Sequence, residues 1–256
     1  LDHPFGYDAS VAVEDAREKI ANAVGARHDE IVFTSGATES DNIALIGTMQ
    51  KYADRGNHLI TCVTEHKAIL DTAKHLESLG KKVTYLPVNE FGEIDLKELE
   101  DSITDDTVMI SIMMANNEIG TIHDAKAIGE IAHRHDVIFH TDAAQAVGHI
   151  PVNVEEMSID LMSFSAHKMY GPKGIGALYV RGVKPRVKPD GLFYGGGQER
   201  NIRSGTLNVP GIVGFGKAVE ISQKELGAEN KRFSEWSGMM LEEFEKIGGV
   251  LNGHRS

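Results

Sequence analysis

Two residues at the ends of predicted strands, Asp142 and Lys168, carry side chains that could do chemistry together. Lys168 follows the run "LMSFSA" and precedes a glycine-rich turn, and Asp142 ends the run "VIFHTD". A lysine in a desolvated site has a lowered pKa, and its neutral amine is a nucleophile that forms Schiff bases. A carboxylate buried beside it requires a cationic partner. The alternative interpretation of Lys168 is a solvated turn residue.

Other predicted strands also end in polar groups. The segment 34–38, "TSGAT", opens a helix whose free N–H groups and positive dipole end suit a phosphate, although Ser and Thr are also common at ordinary helix starts. His66 follows "LITCV" and suits ring stacking or proton transfer, or is an ordinary half-buried histidine. Asn116, Asn117 and Glu118 follow "MISIMM" and either orient a ligand or make a turn.

Together these groups match what pyridoxal 5'-phosphate requires: a lysine for a covalent link, a carboxylate facing the pyridinium nitrogen, and a phosphate cup at a helix N-terminus. Other sites fit less well. The chain has no G-x-x-x-x-G-K-[ST], "GPKGIG" lacks the spacing of a dinucleotide fingerprint, and the twelve histidines include no H-E-x-x-H. We expect most histidines at the surface. Cys62 lies within an apolar strand, where a cysteine is usually a small buried hydrophobe of low reactivity.

The elements that must position these groups follow from the hydrophobic pattern. Short apolar runs alternate with helical patterns, which predicts an α/β fold with a mostly parallel sheet, where ligands collect at the carboxyl ends of the strands. The predicted strands are "EIVFTS", "HLITCV", "KVTYLPV", "TVMISIMM", "VIFHTDA", "LMSFSA" and "IGALYV". A long amphipathic helix follows, and its shift to glutamate and lysine near Glu220 predicts a large domain over 1–222 and the beginning of a small domain over 223–256.

Composition limits the classes of function. The chain has 256 residues, 41% of them hydrophobic, which is enough for one substantial core. A net charge of -12 repels nucleic acid and anionic membranes, so we expect neither as a partner. No run approaches the roughly 18 apolar residues of a membrane span, and the first twenty residues lack a secretory-signal layout. A single cysteine fits a reducing compartment, and we expect a cytoplasmic protein.

Several longer blocks carry a family resemblance. They are "EIVFTSGATESDN", "TEHKAIL", "ANNEIGTI", "HTDAAQAVG", "DLMSFSAHKMYGPKGIGALYV" and "GGGQERNIRSGTLNVPGIVGFGKA". In order and spacing they resemble the blocks of NifS/IscS-type cysteine desulfurases, which are fold-type I pyridoxal-phosphate enzymes. The likeness extends from about His3 to about Gly216. It implies the large domain of that fold, a mostly parallel sheet sandwiched by helices, together with the start of a truncated small domain.

The resemblance also implies a role for each matching residue. Lys168 would link to the cofactor and shuttle the Cα proton, and Asp142 would pair with the pyridinium nitrogen. Gln145 would hydrogen-bond the phenolic oxygen of the ring. His66 would stack on the ring and assist proton transfer, and Asn117 would help to place the substrate.

The same resemblance implies a phosphate site. Ala37, Thr38, Ser165 and His167 would hold the phosphate of the cofactor. Thr206 would reach the same group from the partner subunit, which implies a homodimer.

The implied activity is removal of sulfur from L-cysteine, giving L-alanine and an enzyme persulfide for iron-sulfur cluster or thio-cofactor synthesis. The implied partners are an iron-sulfur scaffold or another sulfur-acceptor protein, in the cytoplasm or, in a eukaryote, the mitochondrial matrix. Alternatives are a selenocysteine lyase, an aminotransferase, or a non-catalytic fragment of this fold; the block "GGGQERNIRSGT" favours the desulfurase.

The chain also departs from the family pattern. The family's nucleophilic cysteine and its substrate-carboxylate arginine would lie beyond Ser256, and the N-terminal Ala-Thr-Thr turn is absent. Cys62 lies just before "TEH", a place the family does not use for its nucleophile. We therefore expect the span 1–256 alone to be incomplete for turnover.

Overall fold

Seven short strands form one sheet in the computed structural model, which describes residues 4–184 and 186–255. They are β1 (Ile31–Thr34), β2 (His58–Cys62), β3 (Lys82–Leu86), β4 (Thr107–Ser111), β5 (Ile138–Asp142), β6 (Leu161–Ser165) and β7 (Gly176–Val180). Their order is β1-β7-β6-β5-β4-β2-β3, and β7 runs antiparallel to both of its neighbours while the other pairs are parallel. The predicted strands and the predicted α/β class are confirmed.

Helices cover both faces of this sheet. They are α1 (Pro4–Ala23), α2 (Ala37–Asn42), α3 (Thr48–Lys51), α4 (Lys67–Ser78), α5 (Leu96–Asp101), α6 (Ala125–Arg134) and α7 (Val209–Lys246). A π-helical segment, Ile43–Gly47, joins α2 to α3 without a break, so the predicted helix here contains an irregularity that the sequence pattern did not show. None of these helices is long and apolar enough to cross a bilayer.

Burial follows from the layered arrangement. Every residue of β1, β2 and β4 to β7 is buried, as expected for strands covered on both faces, whereas the edge strand β3 is largely half-exposed. Successive side chains alternate between two cores. In β7, Ala177 and Tyr179 belong to the core on the α1 and α7 side, and Leu178 and Val180 belong to the other.

Helix α7 is buried only in its first part. It packs along α1, where Gly216 faces Ala16 so closely that a Cβ at residue 216 would lie 2.8 Å from the Ala16 Cβ. Its last buried residue is Ser222, and from there to Lys246 its residues are half-exposed or exposed. The predicted domain boundary at 222/223 falls at this change inside one continuous helix and stays a prediction. His3, where the family resemblance begins, and Ser256, where the predicted small domain ends, lie outside the described residues.

Candidate active site

A cavity of about 600 Å³ opens at the edge of the sheet where the parallel strands end. Its volume is in the range of small-molecule sites. Nine of the ten predicted site residues line it: Ala37, Thr38, His66, Asn117, Asp142, Gln145, Ser165, His167 and Lys168. Their placement agrees with the rule that ligands bind beyond the carboxyl ends of strands, and their individual roles stay predictions.

Lys168 lies on a one-turn 3-10 helix, Ala166–Met169, directly after β6. The turn closes tightly, because Tyr170 is left-handed with φ 63° and a Cβ at Gly171 would lie 2.9 Å from both the Ala166 carbonyl oxygen and the Ala218 Cβ of α7. His149 Nε2 donates a hydrogen bond of 2.7 Å to the Lys168 carbonyl oxygen. The backbone is therefore fixed from two sides, while the side chain remains exposed in the cavity.

Asp142 ends β5 and is only 6% exposed. Burial raises the pKa of its carboxyl group, while the Ala144 N–H, which donates to Oδ1 at 2.9 Å, and the charges of His66 and Lys168 act in the opposite direction. Because these few contacts only partly offset the cost of burying its negative charge, the Asp142 carboxylate would be stabilised by a cationic partner. The pyridinium nitrogen of pyridoxal 5'-phosphate fits that requirement.

The start of α2 forms a cup of donors. Its first N–H groups have no intrahelical partner, as at any helix N-terminus, and Gly36 brings this backbone close to β7. A Cβ at Gly176 would lie 2.6 Å from the Gly36 Cα, so only glycine permits the approach. Beside the cup, Ser165 Oγ and His167 Nδ1 are hydrogen-bonded at 2.8 Å. This set of neutral donors fits a phosphate.

One acidic residue, Glu39, also lines the cavity next to this cup. Its carboxylate is occupied, because Oε1 accepts from Arg203 Nε at 2.7 Å and Oε2 accepts from the Ser35 N–H at 2.9 Å. Burial acts to raise the pKa of Glu39, but these contacts together outweigh it, so the pKa lies below its usual value. An ion pair with Arg203 thus offsets a charge that would repel a phosphate.

His66 has a fixed ring orientation. It is the N-cap of α4, where its Nδ1 accepts the Ala68 N–H at 3.1 Å. Because Nδ1 is an acceptor, the proton of the neutral ring lies on Nε2. The exposed ring lines the cavity, which suits stacking on a planar ligand.

The two asparagines after β4 have different environments. Asn116 is buried; its Nδ2 donates to the Thr64 carbonyl oxygen, and its Oδ1 accepts from the N–H groups of Glu118 and Ile119. Asn116 therefore makes the turn, which was one of its two predicted interpretations. Asn117 is exposed at the cavity, where its side chain is free to meet a ligand apart from a 3.0 Å bond to Glu118.

Thr206 is the tenth predicted site residue, and it lies outside the cavity lining on an exposed part of the loop before α7. This loop is anchored at Glu199, whose carboxylate binds Arg17 through two 2.8 Å contacts and accepts the Phe33 N–H at 2.7 Å. Glu199, Arg200 and Asn201 are all left-handed, with φ of 46°, 57° and 65°. The predicted contact of Thr206 with the partner subunit's site stays a prediction.

A buried polar cluster, which we call the floor, consists of Asp142 at the cavity and three residues that sequence reasoning missed, Asp41, Glu65 and His140. His140 is fully buried between Ser111 Oγ at 2.9 Å and Ser163 Oγ at 3.0 Å, and burial lowers its pKa to about 3. Most of the described histidines are exposed or half-exposed, as expected, but His140, His58 and His123 are buried exceptions. Strand periodicity could have indicated His140, because it shares a face of β5 with Asp142.

Cys62 is buried next to this floor, with its Sγ 3.4 Å from Glu65 Oε1 and from Thr64 Oγ1. Burial, followed by the proximity of Glu65, raises the pKa of the thiol. A thiol in this state is a poor nucleophile, in agreement with the sequence expectation.

Comparison with known proteins identifies a family. The aminotransferase class-V family model matches residues 2–255. A relative named cysteine desulfurase IscS, from Histophilus somni (strain 2336), is 56% identical over 232 residues, which cover 91% of this chain and 57% of that protein. The chain thus spans somewhat over half the length of this relative.

Two solved structures are also similar. One, described as a NifS-like protein, has a TM-score of 0.95 and 40% identity, and the match covers 100% of this chain and 70% of that protein's chain. The other, described as SspA in complex with cysteine, has a TM-score of 0.83 and 46% identity, and covers 86% of this chain and 63% of its own. The similarity includes the strands and turns that form the cavity.

Proposed function

Because the chain belongs to the aminotransferase class-V family, we propose that the protein is a cysteine desulfurase. It would use pyridoxal 5'-phosphate to remove sulfur from L-cysteine, leaving L-alanine and an enzyme-bound persulfide. The observation that carries the proposal is a cavity lined by an exposed lysine, Lys168, and a buried carboxyl group, Asp142, beside a cup of phosphate donors.

The residues present fit the cofactor. Asp142 supplies the negative charge for the pyridinium nitrogen, and Ala37, Thr38 and Ser165 supply donors for the phosphate. The cofactor, when bound, supplies an electron-withdrawing ring that stabilises negative charge at a substrate carbon. Gln145 lies three residues after Asp142 and lines the same cavity, where its amide can donate to a ring oxygen.

The chain's own proton-transfer groups lie on the exposed side of the cavity. The Lys168 amine lines the same cavity as Asp142, so it can hold or release a proton at the substrate. His66 carries a proton on Nε2 and has its ring held by the α4 N-terminus, so it suits stacking and donation. Asn117 offers an amide to the substrate's polar atoms.

The choice of L-cysteine as substrate rests on similarity. The relative from Histophilus somni carries the name of a cysteine desulfurase, and one similar structure is described with cysteine. Cys62 is not suited to receive the sulfur, because it is buried and its thiol has a raised pKa. We propose that the persulfide forms on another cysteine of the complete protein.

We also propose a homodimer in the cytoplasm that delivers sulfur to an iron-sulfur scaffold or another acceptor protein. The exposure of Thr206 outside its own chain's cavity supports a contact with a second copy. Such an interface would bury more than about 2,000 Å² in total, as obligate dimers do.

A single assay with the purified full-length protein tests the function. The protein is loaded with pyridoxal 5'-phosphate and given L-cysteine and a reducing thiol, and alanine and sulfide are measured. Equimolar alanine and sulfide would support the desulfurase. A keto acid would indicate an aminotransferase, turnover of selenocysteine alone a selenocysteine lyase, and cofactor binding without product a non-catalytic protein.

A further inference from the structure

The floor contains three carboxyl groups, of which the proposed function uses one. Asp41 is 0% exposed, Glu65 is 5% exposed and Asp142 is 6% exposed. Asp142 lines the cavity, whereas Asp41 on α2 and Glu65 after β2 do not. Three carboxylates in one apolar region cannot all be ionised without a large cost, so their protons must be accounted for.

The hydrogen-bond pattern indicates where protons remain. Neither oxygen of Asp41 has a hydrogen-bond partner of ordinary geometry, although the Ser163 hydroxyl is near enough to favour its ionised form slightly. Glu65 Oε1 accepts the Met113 N–H at 2.6 Å and the Cys62 thiol at 3.4 Å, and Oε2 has no partner. An ionised carboxylate with such sparse donors is strongly disfavoured in a dry interior.

Among the described residues, neither Asp41 nor Glu65 forms an ion pair with a lysine or an arginine. The basic group in contact with Asp41 is His140, whose Nε2 lies 3.7 Å from Asp41 Oδ1. That ring is neutral at physiological pH because burial lowers its pKa to about 3. Among the residues that the structure describes, no group of three or more His, Cys, Asp or Glu side chains could hold a metal ion.

The remaining titratable groups around the floor favour ionisation of Asp142 alone. Burial raises the pKa of Asp142 overall, but the Ala144 N–H and the charges of His66 and Lys168, on the cavity side, oppose that effect and favour its ionised form. Burial raises the pKa of Asp41 and the charge of Asp142 raises it further, while the Ser163 hydroxyl acts in the opposite direction. Burial raises the pKa of Glu65 to about 8, and the charge of Asp142 again acts in the same direction.

We propose that Asp41 and Glu65 keep their protons at neutral pH, so that the single negative charge of the floor lies on Asp142, the member that faces the cavity. Asp41 and Glu65 are then positioning residues, which act through Asp142 and do not touch the ligand. Only the use of that charge by a pyridinium ring rests on the proposed function. The location of the protons does not depend on it.

Infrared spectroscopy of the cofactor-free protein in D₂O at pH 7 tests the location of the protons directly. A protonated carboxyl group has a carbonyl absorption that a carboxylate lacks. Asp41→Asn and Glu65→Gln should each remove one such absorption, whereas Asp142→Asn and the exposed control Glu243→Gln should remove none. Unchanged absorption in Asp41→Asn and Glu65→Gln, or a loss confined to Asp142→Asn, would overturn the proposal.

A titration of the unsubstituted protein covers the case in which a variant does not fold. The carboxyl absorption of two groups should be present at pH 7, and part of it should disappear as the pH rises past about 8, where Glu65 ionises. Absence of the absorption at pH 7 would contradict the proposal without any substitution.

A second arm uses the loaded protein and pyridoxal 5'-phosphate labelled with ¹⁵N in the ring. The ring-nitrogen resonance should remain at the protonated position in Asp41→Asn and Glu65→Gln, because both replaced groups were already neutral, and should shift in Asp142→Asn. A shift in the first two variants as large as in Asp142→Asn would refute the inference. Failure of all proteins to bind the cofactor would refute the proposed function and leave the infrared result standing.

Discussion

The exposed rim and the buried floor of the cavity perform different tasks with similar residue types. On the rim, Lys168 and His66 are exposed and can meet a ligand. On the floor, Asp41 and Glu65 are buried, lack cationic partners and have raised pKa values. The difference shows that the rim supplies groups that react, whereas the floor controls how much charge those groups face.

The largest expected effect is on the rim, from Lys168→Ala. After borohydride reduction of the loaded protein, peptide mass spectrometry should find the cofactor on the Lys168 peptide. The variant should carry no covalent cofactor, because the amine that forms the link is missing. The fold should persist. Lys173→Ala, which also removes a lysine lining the cavity, is the matched control and should retain the label. Label on another lysine in the unsubstituted protein would refute the assignment.

The next effect concerns the member of the floor that faces the cavity. Asp142→Asn removes one partner of a buried charge pair, which typically costs about 3–5 kcal/mol, so the affinity for pyridoxal 5'-phosphate should fall by between about a hundred-fold and several thousand-fold. Fluorescence titration of the cofactor measures this. Asp71→Asn changes an exposed acid on α4 and should bind as wild type does. Equal affinities of Asp142→Asn and wild type would remove Asp142 from the site.

A buried carboxylate that does have a cationic partner sharpens the contrast with the floor. Glu199 is paired with Arg17 through two 2.8 Å contacts, so Glu199→Gln leaves the buried guanidinium with only the exposed Glu14 as an anionic partner. The free energy of unfolding should decrease by about 3–5 kcal/mol, as measured by urea denaturation. Glu14→Gln, which removes the other partner of Arg17, is the control; its side chain is 54% exposed and the expected loss is about 0–1 kcal/mol. Similar losses in both variants would contradict this account.

Glu65 predicts a pH dependence of stability with the opposite sign to that of an ordinary paired acid. Its folded-state pKa is raised from 4.5 to about 8, so between these values the folded state binds more protons than the unfolded state. The stability contributed by Glu65 is complete below the unfolded pKa and is lost as the pH rises toward 8, by at most about 1.4 kcal/mol per pH unit. In cofactor-free protein, Glu65→Gln should therefore flatten the decline of unfolding free energy over this window. An identical slope in variant and wild type would show that Glu65 does not titrate there.

The smallest expected effect is that of Cys62→Ser. Because the thiol is buried and its pKa is raised, substitution should leave the release of alanine and sulfide from L-cysteine unchanged. The native protein's Cys62 should also react with a thiol reagent only after unfolding. Loss of sulfide release in Cys62→Ser, with the fold intact, would make Cys62 the sulfur acceptor.

The sequence predicted the rim, and the one floor residue that faces the cavity, far better than the rest of the floor, for a physical reason. His66, Asp142 and Lys168 each follow an apolar run, and strand ends in a parallel sheet converge on one edge whatever the details of packing. Asp41, by contrast, lies in a polar helical stretch, "TESDN", that is typical of a solvated surface. The packing of α2 against α4, β6 and β7 buries it, and these contacts depend on tertiary structure.

Backbone irregularities were also beyond sequence reasoning. In the π-helical segment, Gly47 accepts the Asp190 N–H at 3.0 Å and has no space for a side chain, a contact between residues far apart in the chain. The left-handed residues Glu199 to Asn201 are not glycines, so residue type gave no indication of their conformation. Each is stabilised by tertiary contacts that no local pattern encodes.

The pairing of Arg17 with Glu199 has a consequence for how the chain is made. The two residues are 182 positions apart, and α1 likewise packs against α7, which also lies far along the chain from it. At about 5–20 residues per second, a ribosome needs on the order of 10–40 seconds to add the residues that separate them. During that time the apolar side chains of α1, including Val13 and Ile20, have no α7 to cover them. The newborn chain is therefore most open to aggregation or chaperone capture before residue 209 emerges, because α1 can close against α7 only after that point.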